Sequence, residues 1–348
     1  MIELKTIKRN LIFKMPAGTS RGILTYKPSW FFVLKYAQIP GKTAIGECGL
    51  LPGLSFDDRP DYETILGKIV AEVNSKQTLD IPLDLKNLPS IRFGFEMLKK
   101  DYSTGMNKIF FKTDFTGGKY KIPVNGLIWM GDKRFMFEQI KTKLDEGWRC
   151  IKIKIGAINF EDELALIKYI RSEFNKDDVE LRVDANGAFS VKEAPEFLKR
   201  LSDFDLHSIE QPVKAGQPEE MAKLCASSPL PVALDEELIG INDIEEKKEL
   251  ISTIKPHYIV LKPSLTGGWQ ASQEWIDIAG STGTGYWVTS ALESNIGLNA
   301  IAQWTATLNK GIIHGLGTGK LYKNNIKSPL VVEKGFLYYD KNKKWEQI

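Results

Sequence analysis

Residues Cys150-Ile151-Lys152-Ile153-Lys154-Ile155-Gly156 alternate apolar and cationic side chains. Successive side chains of a strand point to opposite faces, so the three isoleucines share one face and the two lysines the other. Around this run lie seven comparable β-branched runs: Lys121 to Met130, Glu180 to Val183, Leu206 to Val213, Val232 to Leu238, Tyr258 to Lys262, Gly285 to Ser290 and Gly311 to Gly315. Each is followed by roughly a dozen residues of helical character, the pattern of βα units around a parallel sheet. Eight units in about 200 residues fit a (β/α)8 barrel better than an open doubly wound sheet. No GxGxxG turn follows the first strand, which also argues against the open sheet.

A barrel strand is buried on both faces, so a charge at its C-terminal end needs a reason, and the active sites of barrels lie at that end. Lys154, Asp184, Glu210, Asp235 and Lys262 each close such a run, at steps of 30, 26, 25 and 27 residues. Each step is one βα unit, which places the five around one mouth, with lysines on strands 2 and 6 and carboxylates on strands 3, 4 and 5. Three converging carboxylates repel one another unless a cation joins them. An all-oxygen set without Cys or His favours Mg²⁺ over zinc, with Mn²⁺ as a substitute. A cation there neutralises a substrate carboxylate and stabilises the charge that appears when the adjacent carbon loses a proton. Lys152 beside Lys154, together with the cation and desolvation, is expected to lower a lysine pKa enough for it to serve as the base. The chemistry expected is proton abstraction next to a carboxylate.

The front of the chain reads differently. Strand-like runs at Met1 to Leu11, Ser29 to Gln38 and Lys42 to Glu47 precede helix-like segments around Asp61 to Val73 and Ser90 to Lys100, an α+β order. Residues 1–120 are therefore expected to form an α+β domain, 121–321 the barrel, and 322–348 a tail that packs back on the front domain. Lys and Arg number 47 against 44 Asp and Glu, a net +3 that speaks against a nucleic-acid partner. Cys48, Cys150 and Cys225 give neither a disulfide framework nor a CxxC site. The first ten residues lack a signal peptide's apolar core, and no run is long enough to cross a bilayer, so a cytoplasmic enzyme is expected. His207, His257 and His314 read as structural or peripheral.

Lys152-Ile153-Lys154, Asp184-Ala185-Asn186, Glu210-Gln211-Pro212, Asp235-Glu236 and Lys262-Pro263 together resemble the enolase superfamily, in the order of its muconate-lactonizing subgroup. The resemblance implies a (β/α)7β TIM-like barrel with an N-terminal α+β capping domain. It also implies Asp184, Glu210 and Asp235 as metal ligands, Lys154 as base, Lys152 as its partner and Lys262 as the opposing lysine. Thr19 to Gly22, Lys27 to Trp30, Gly46-Glu47, Leu265 to Gly268 and Ser290 to Ser294 are most similar to the dehydratases of menaquinone biosynthesis that form 2-succinylbenzoate. The implied substrate is a small carboxylate, with Thr289, Ser290, Gly315 and Gly317 as candidates to bind its succinyl tail and Arg21, on a Gly-flanked loop, as a candidate to close over it. Homo-oligomerisation is left open.

Three further readings share the same lysines and metal: racemisation of N-acyl amino acids, dipeptide epimerisation and muconate lactonisation. A dipeptide epimerase needs an acid after strand 7 for the substrate ammonium, and from Thr289 to Tyr339 the only acids are Glu293 and Glu333. A Schiff-base aldolase or a binding protein leaves the three carboxylates unexplained.

Overall fold

The computed structural model describes residues 1–19, 22–308 and 310–347. Strands β1 (Ile2–Thr19), β2 (Gly22–Tyr36) and β3 (Thr43–Cys48) form an antiparallel sheet in chain order, covered by helices α1 (Tyr62–Lys76) and α2 (Pro89–Ser103). The run from Trp30 to Leu34 is apolar at every position because both faces of β2 are covered. Trp30, Phe32 and Leu34 pack with Leu66, Ile69 and Phe95 of the two helices. Phe31 and Val33 join Ile45, Ile296 and Ile326 on the other side. Sheet and α2 cross at glycines: a Cβ on Gly46 would stand 1.8 Å from the Gly94 carbonyl oxygen, and one on Gly94 would stand 2.5 Å from Cys48 Sγ.

The β1–β2 hairpin is longer than its sequence suggests. Its register slips between Ile12 and Ala17, which destroys the period-two pattern, and then resumes to Thr19↔Gly22. The extension is held by the barrel, with Gly18 bridged to Met130 and Phe13 to Tyr322.

Strand β4 (Ile122–Pro123) leads into the parallel sheet of β5 (Gly126–Ile128), β6 (Cys150–Lys154), β7 (Glu180–Asp184), β8 (Ser208–Glu210), β9 (Val232–Leu234), β10 (Tyr258–Leu261) and β11 (Gly285–Val288). These seven neighbour one another in chain order. Between them run α3 (Lys133–Asp145), α4 (Phe160–Glu173), α5 (Ala194–Ser202), α6 (Pro218–Ser227), α7 (Ile244–Ile254), the single turn α8 (Pro263–Thr266) and α9 (Gly268–Ser281); α10 (Asn295–Thr305) follows β11. Ile151, Ile153 and Ile155 pack outward in one core with Leu166, Ile167 and Ile170 of α4, which leaves both lysines facing inward.

The eighth run, Gly311 to Gly315, does not form a regular strand. It closes the barrel through two parallel bridges, His314 to Val124 and Gly315 to Thr289. Backbone hydrogen bonds complete the seam, from His314 N to the Pro123 carbonyl and from Gly315 N to that of Val288. The tail supplies β12 (Leu330–Glu333) and β13 (Phe336–Tyr339), the latter paired with β4. Among the described residues no helix is long and apolar enough to cross a membrane.

The Gly46–Gly94 crossing leaves no room for a side chain. Gly94→Val is expected to destabilise the protein by about 1–3 kcal/mol through overpacking. An unchanged urea midpoint would contradict so close a crossing.

Candidate active site

Lys154, Asp184 and Glu210 stand on one rung of the sheet, since Lys154 pairs with Asp184 and Asp184 with Glu210. That rung continues through Ala233 to Tyr258, so Asp235 and Lys262 lie two and four residues beyond it. Barrel strands tilt against the axis, and a climbing register is what keeps side chains of successive strands at one height around the mouth. Strands β6 and β10 are four places apart in a circuit of eight, which sets Lys154 and Lys262 on opposite sides.

Within the mouth charges meet at contact distance. Lys152 Nζ lies 2.8 Å from Asp184 Oδ2 and 2.5 Å from Glu210 Oε2. Lys154 Nζ lies 3.0 Å from Asp184 Oδ2 and donates to Asn186 Oδ1 at 2.5 Å. Lys262 Nζ is bonded to Asp235 Oδ2. Burial works against the charge on Lys152, but Asp184, Glu210 and Asp235 outweigh it and hold the ammonium above its ordinary pKa. Three carboxylates thus dominate the charge of Lys152, the partner of Lys154. Burial pushes Asp184 up, but Lys152, Lys154 and Lys262 carry it well below the usual range. Burial and Asp184 raise Glu210 to about 8 in spite of Lys152.

Two side chains act behind these groups. Asn186 takes Lys154 on its oxygen and donates Nδ2 to Glu236 Oε1 at 3.0 Å, which fixes the direction of the lysine. Gln211 accepts from the backbone N–H groups of Asp235 at 3.1 Å and Glu237 at 3.3 Å, pinning the turn that carries Asp235. Both lie inside the sequence motifs, one residue or two beyond a carboxylate, and that adjacency is the signal that finds them.

The carboxylates fit a divalent cation by their chemistry. They are buried, offer oxygen alone, and include one oxygen, Glu210 Oε1, that is buried without a hydrogen-bond partner among the described residues. Among those residues no three acidic, His or Cys side chains close on a single point. The ammonium groups of Lys152 and Lys262 stand on the carboxylates instead, and a bound cation would have to displace them.

Above the charges lies a cavity of about 320 Å³. Lys152, Lys154, Asp184, Asn186 and Lys262 form its charged wall, and Thr289, Ser290, Gly315, Gly317, Thr318 and Asn125 the uncharged one. Leu24 and Leu51 to Leu54 reach in from the front domain. No sequence signal marks these as site residues, because they join the cavity only through the packing of the two domains. Thr289, Ser290, Gly315 and Gly317 are thus gathered as expected, whereas Arg21 lies outside the described residues. None of the three histidines lines the cavity. His257 and His314 accept from the backbone N–H groups of Val232 and Val288, and burial drives His314 down to about 3. A larger open groove beside α2 and α9 carries none of the strand-end charges.

A second buried charge cluster joins the domains beside the cavity. Lys27 Nζ donates to Ser29 Oγ at 3.1 Å, and Ser29 Oγ to Glu47 Oε1 at 2.9 Å. Glu47 also accepts from Ser294 N, Ser294 Oγ and Gly297 N, so a carboxylate of the front domain caps the first turn of α10. Glu293 accepts from Ser264 Oγ at 2.5 Å, two residues beyond Lys262.

A family model described as enolase C-terminal domain-like matches residues 136–342. The o-succinylbenzoate synthase of Desulfotalea psychrophila is 47% identical over 97% of this chain and 98% of its own length. The chain belongs to the enolase superfamily and, within it, to the o-succinylbenzoate synthases. The crystal structure of MenC from Desulfotalea psychrophila superposes with a TM-score of 0.80 at 43% identity, covering 97% of this chain and 99% of that one. An N-succinylamino acid racemase from Amycolatopsis is 29% identical over 97% of this chain and 91% of its own.

Burial raises Glu293 to about 6, with Lys27 pulling the other way. A carboxyl whose folded pKa exceeds its unfolded value contributes stability below the unfolded pKa and loses it as pH rises through the folded one. The stability of the wild type relative to Glu293→Gln should therefore fall by roughly 2 kcal/mol between pH 4 and pH 7. Urea unfolding across that range checks it, and a difference that does not change with pH would contradict the assignment.

Proposed function

We propose that this enzyme removes water from 2-succinyl-6-hydroxy-2,4-cyclohexadiene-1-carboxylate to give 2-succinylbenzoate, using Mg²⁺ or Mn²⁺ held by Asp184, Glu210 and Asp235. In this reading residues 1–120, completed by 322–348, cap a catalytic barrel of residues 121–321. A bound cation would supply the positive charge that neutralises the substrate carboxylate and stabilises the second negative charge forming on it.

Lys154 as the free amine takes the proton from the ring carbon that bears the carboxylate, and the electron pair moves into the carboxylate. The same lysine, now an ammonium, returns that proton to the departing hydroxyl on its face of the ring. Water leaves, the ring becomes aromatic and Lys154 is again an amine, so the proton count closes on one side chain. Asn186 aims Lys154 through its 2.5 Å contact. Lys262, on the opposite side, transfers no proton in this scheme and stabilises the electron-rich ring as a cation.

The observation that carries this reading is the division of the cavity. Lys154 and Lys262 flank it from opposite sides, and among the described residues Asn125, Thr289, Ser290, Gly315, Gly317 and Thr318 that line its uncharged part there is no carboxylate to meet a substrate ammonium. Of the two acids between Thr289 and Tyr339, Glu293 is turned onto Ser264 and Glu333 lies on β12, which disfavours dipeptide epimerisation. Racemisation of N-acyl amino acids is the second reading, favoured by the opposed placement of Lys154 and Lys262.

Incubation of the cyclohexadiene substrate with protein and Mg²⁺ should remove the diene absorbance, and EDTA should stop it. Lys154→Ala is expected to lower the rate by about 10²–10⁴-fold, the range for loss of a general base, with Mg²⁺ binding retained. Near-normal dehydration by that variant would overturn the base assignment. Absence of dehydration by metal-loaded wild type, with exchange of the α-proton of N-succinyl amino acids in D₂O, would favour the racemase.

A further inference from the structure

The uncharged wall of the cavity contains one polar side chain whose hydrogen-bonding capacity is not used. Thr289 Oγ1 donates to the Gly315 carbonyl at 2.8 Å, and Ser290 Oγ is bonded to Thr318 Oγ1 at 2.6 Å. Asn125 lines the same cavity and is only 5% exposed, yet its carboxamide makes no hydrogen bond to any described residue. Its backbone is engaged, with N donating to the His314 carbonyl at 2.9 Å, so the residue is fixed at the seam where the chain closes the barrel. A buried amide without a partner costs free energy unless a ligand or water completes it.

Resting on the dehydratase reading, we infer that Asn125 is a specificity-determining residue whose Nδ2 donates to the carboxylate at the end of the substrate's acyl tail. A neutral donor on the opposite wall recognises that group, and it gives the tail a fixed end while the ring carboxylate lies at the lysines. Thr289 Oγ1 is turned onto the Gly315 carbonyl and Ser290 Oγ and Thr318 Oγ1 onto each other, so these hydroxyls shape the wall beside the amide. Ligands ending in a carboxylate are thereby preferred over those with an apolar end.

The test compares the product 2-succinylbenzoate with plain benzoate, which lacks the tail, as ligands of the Mg²⁺-loaded protein by calorimetry or competition. Asn125→Leu, close in shape, should weaken 2-succinylbenzoate binding by about ten-fold or more, the size expected for a hydrogen bond to a charged group, and leave benzoate unchanged. Asn125→Asp, which keeps the shape and adds a repelling charge, should weaken the tail carboxylate more than the corresponding tail amide. In turnover, KM should rise more than kcat falls. Equal losses for 2-succinylbenzoate and benzoate would reduce Asn125 to a structural role and overturn the inference, as would unchanged affinity for both. Wild-type protein that fails to bind 2-succinylbenzoate at all would overturn the functional reading itself, and this assignment with it.

Discussion

Three carboxylates buried on consecutive strands are the constraint to which the rest of the barrel mouth answers. Asp184, Glu210 and Asp235 are each at most 2% exposed, where an unpaired charge is prohibitive. Lys152, Lys154 and Lys262 compensate them, and their unequal placement sets the carboxylates apart. Asp184 faces two ammonium groups and is held strongly ionised, while Glu210 shares one and is raised to about 8. In the proposed reaction Asp184, Glu210 and Asp235 would hold a divalent ion, which would supply positive charge at the same carboxylates.

Holding that arrangement requires a closed barrel and a seated cap. Closure is economical, two bridges standing in for an eighth strand. Seating of the cap depends on a second set of buried charges, in which Glu47 caps α10 and Glu293 holds Ser264. The Glu47 contacts tie the front domain to the turn that follows strand 7, and the Glu293–Ser264 bond joins that turn to the one after Lys262. Cap position and site geometry are therefore mechanically linked, and Leu24 and Leu51 to Leu54 can serve as the apolar roof.

The barrel and its charged residues were legible because both rest on local periodicity. Alternation in Cys150 to Gly156 defines a strand with a polar inner face, and regular steps to Asp184, Glu210, Asp235 and Lys262 place them around one mouth. What stayed hidden depends on long-range contacts. The hairpin extension past Ile12 has no period because a register shift interrupts it, and two bridges to distant residues, Tyr322 and Met130, add to its own strand pairing. Gly311 to Gly315 reads as a strand but is held to two bridges, its last glycine packed on Thr289 with no room for a Cβ. Asn125 lies inside the run Lys121 to Met130 with no charge to mark it, and closure of the barrel brings it beside Gly317. The charge of Lys152 is set by carboxylates that come from other strands, which its own run of sequence does not show.

We propose that Asp184, Glu210 and Asp235 together form one divalent-cation site. Mn²⁺ titration followed by electron paramagnetic resonance tests it directly, in the absence of substrate. The account predicts one tight Mn²⁺ per chain, competed by Mg²⁺ and lost in Glu210→Gln with the fold intact. Unchanged Mn²⁺ binding in that variant, or no binding by the wild type, would contradict it.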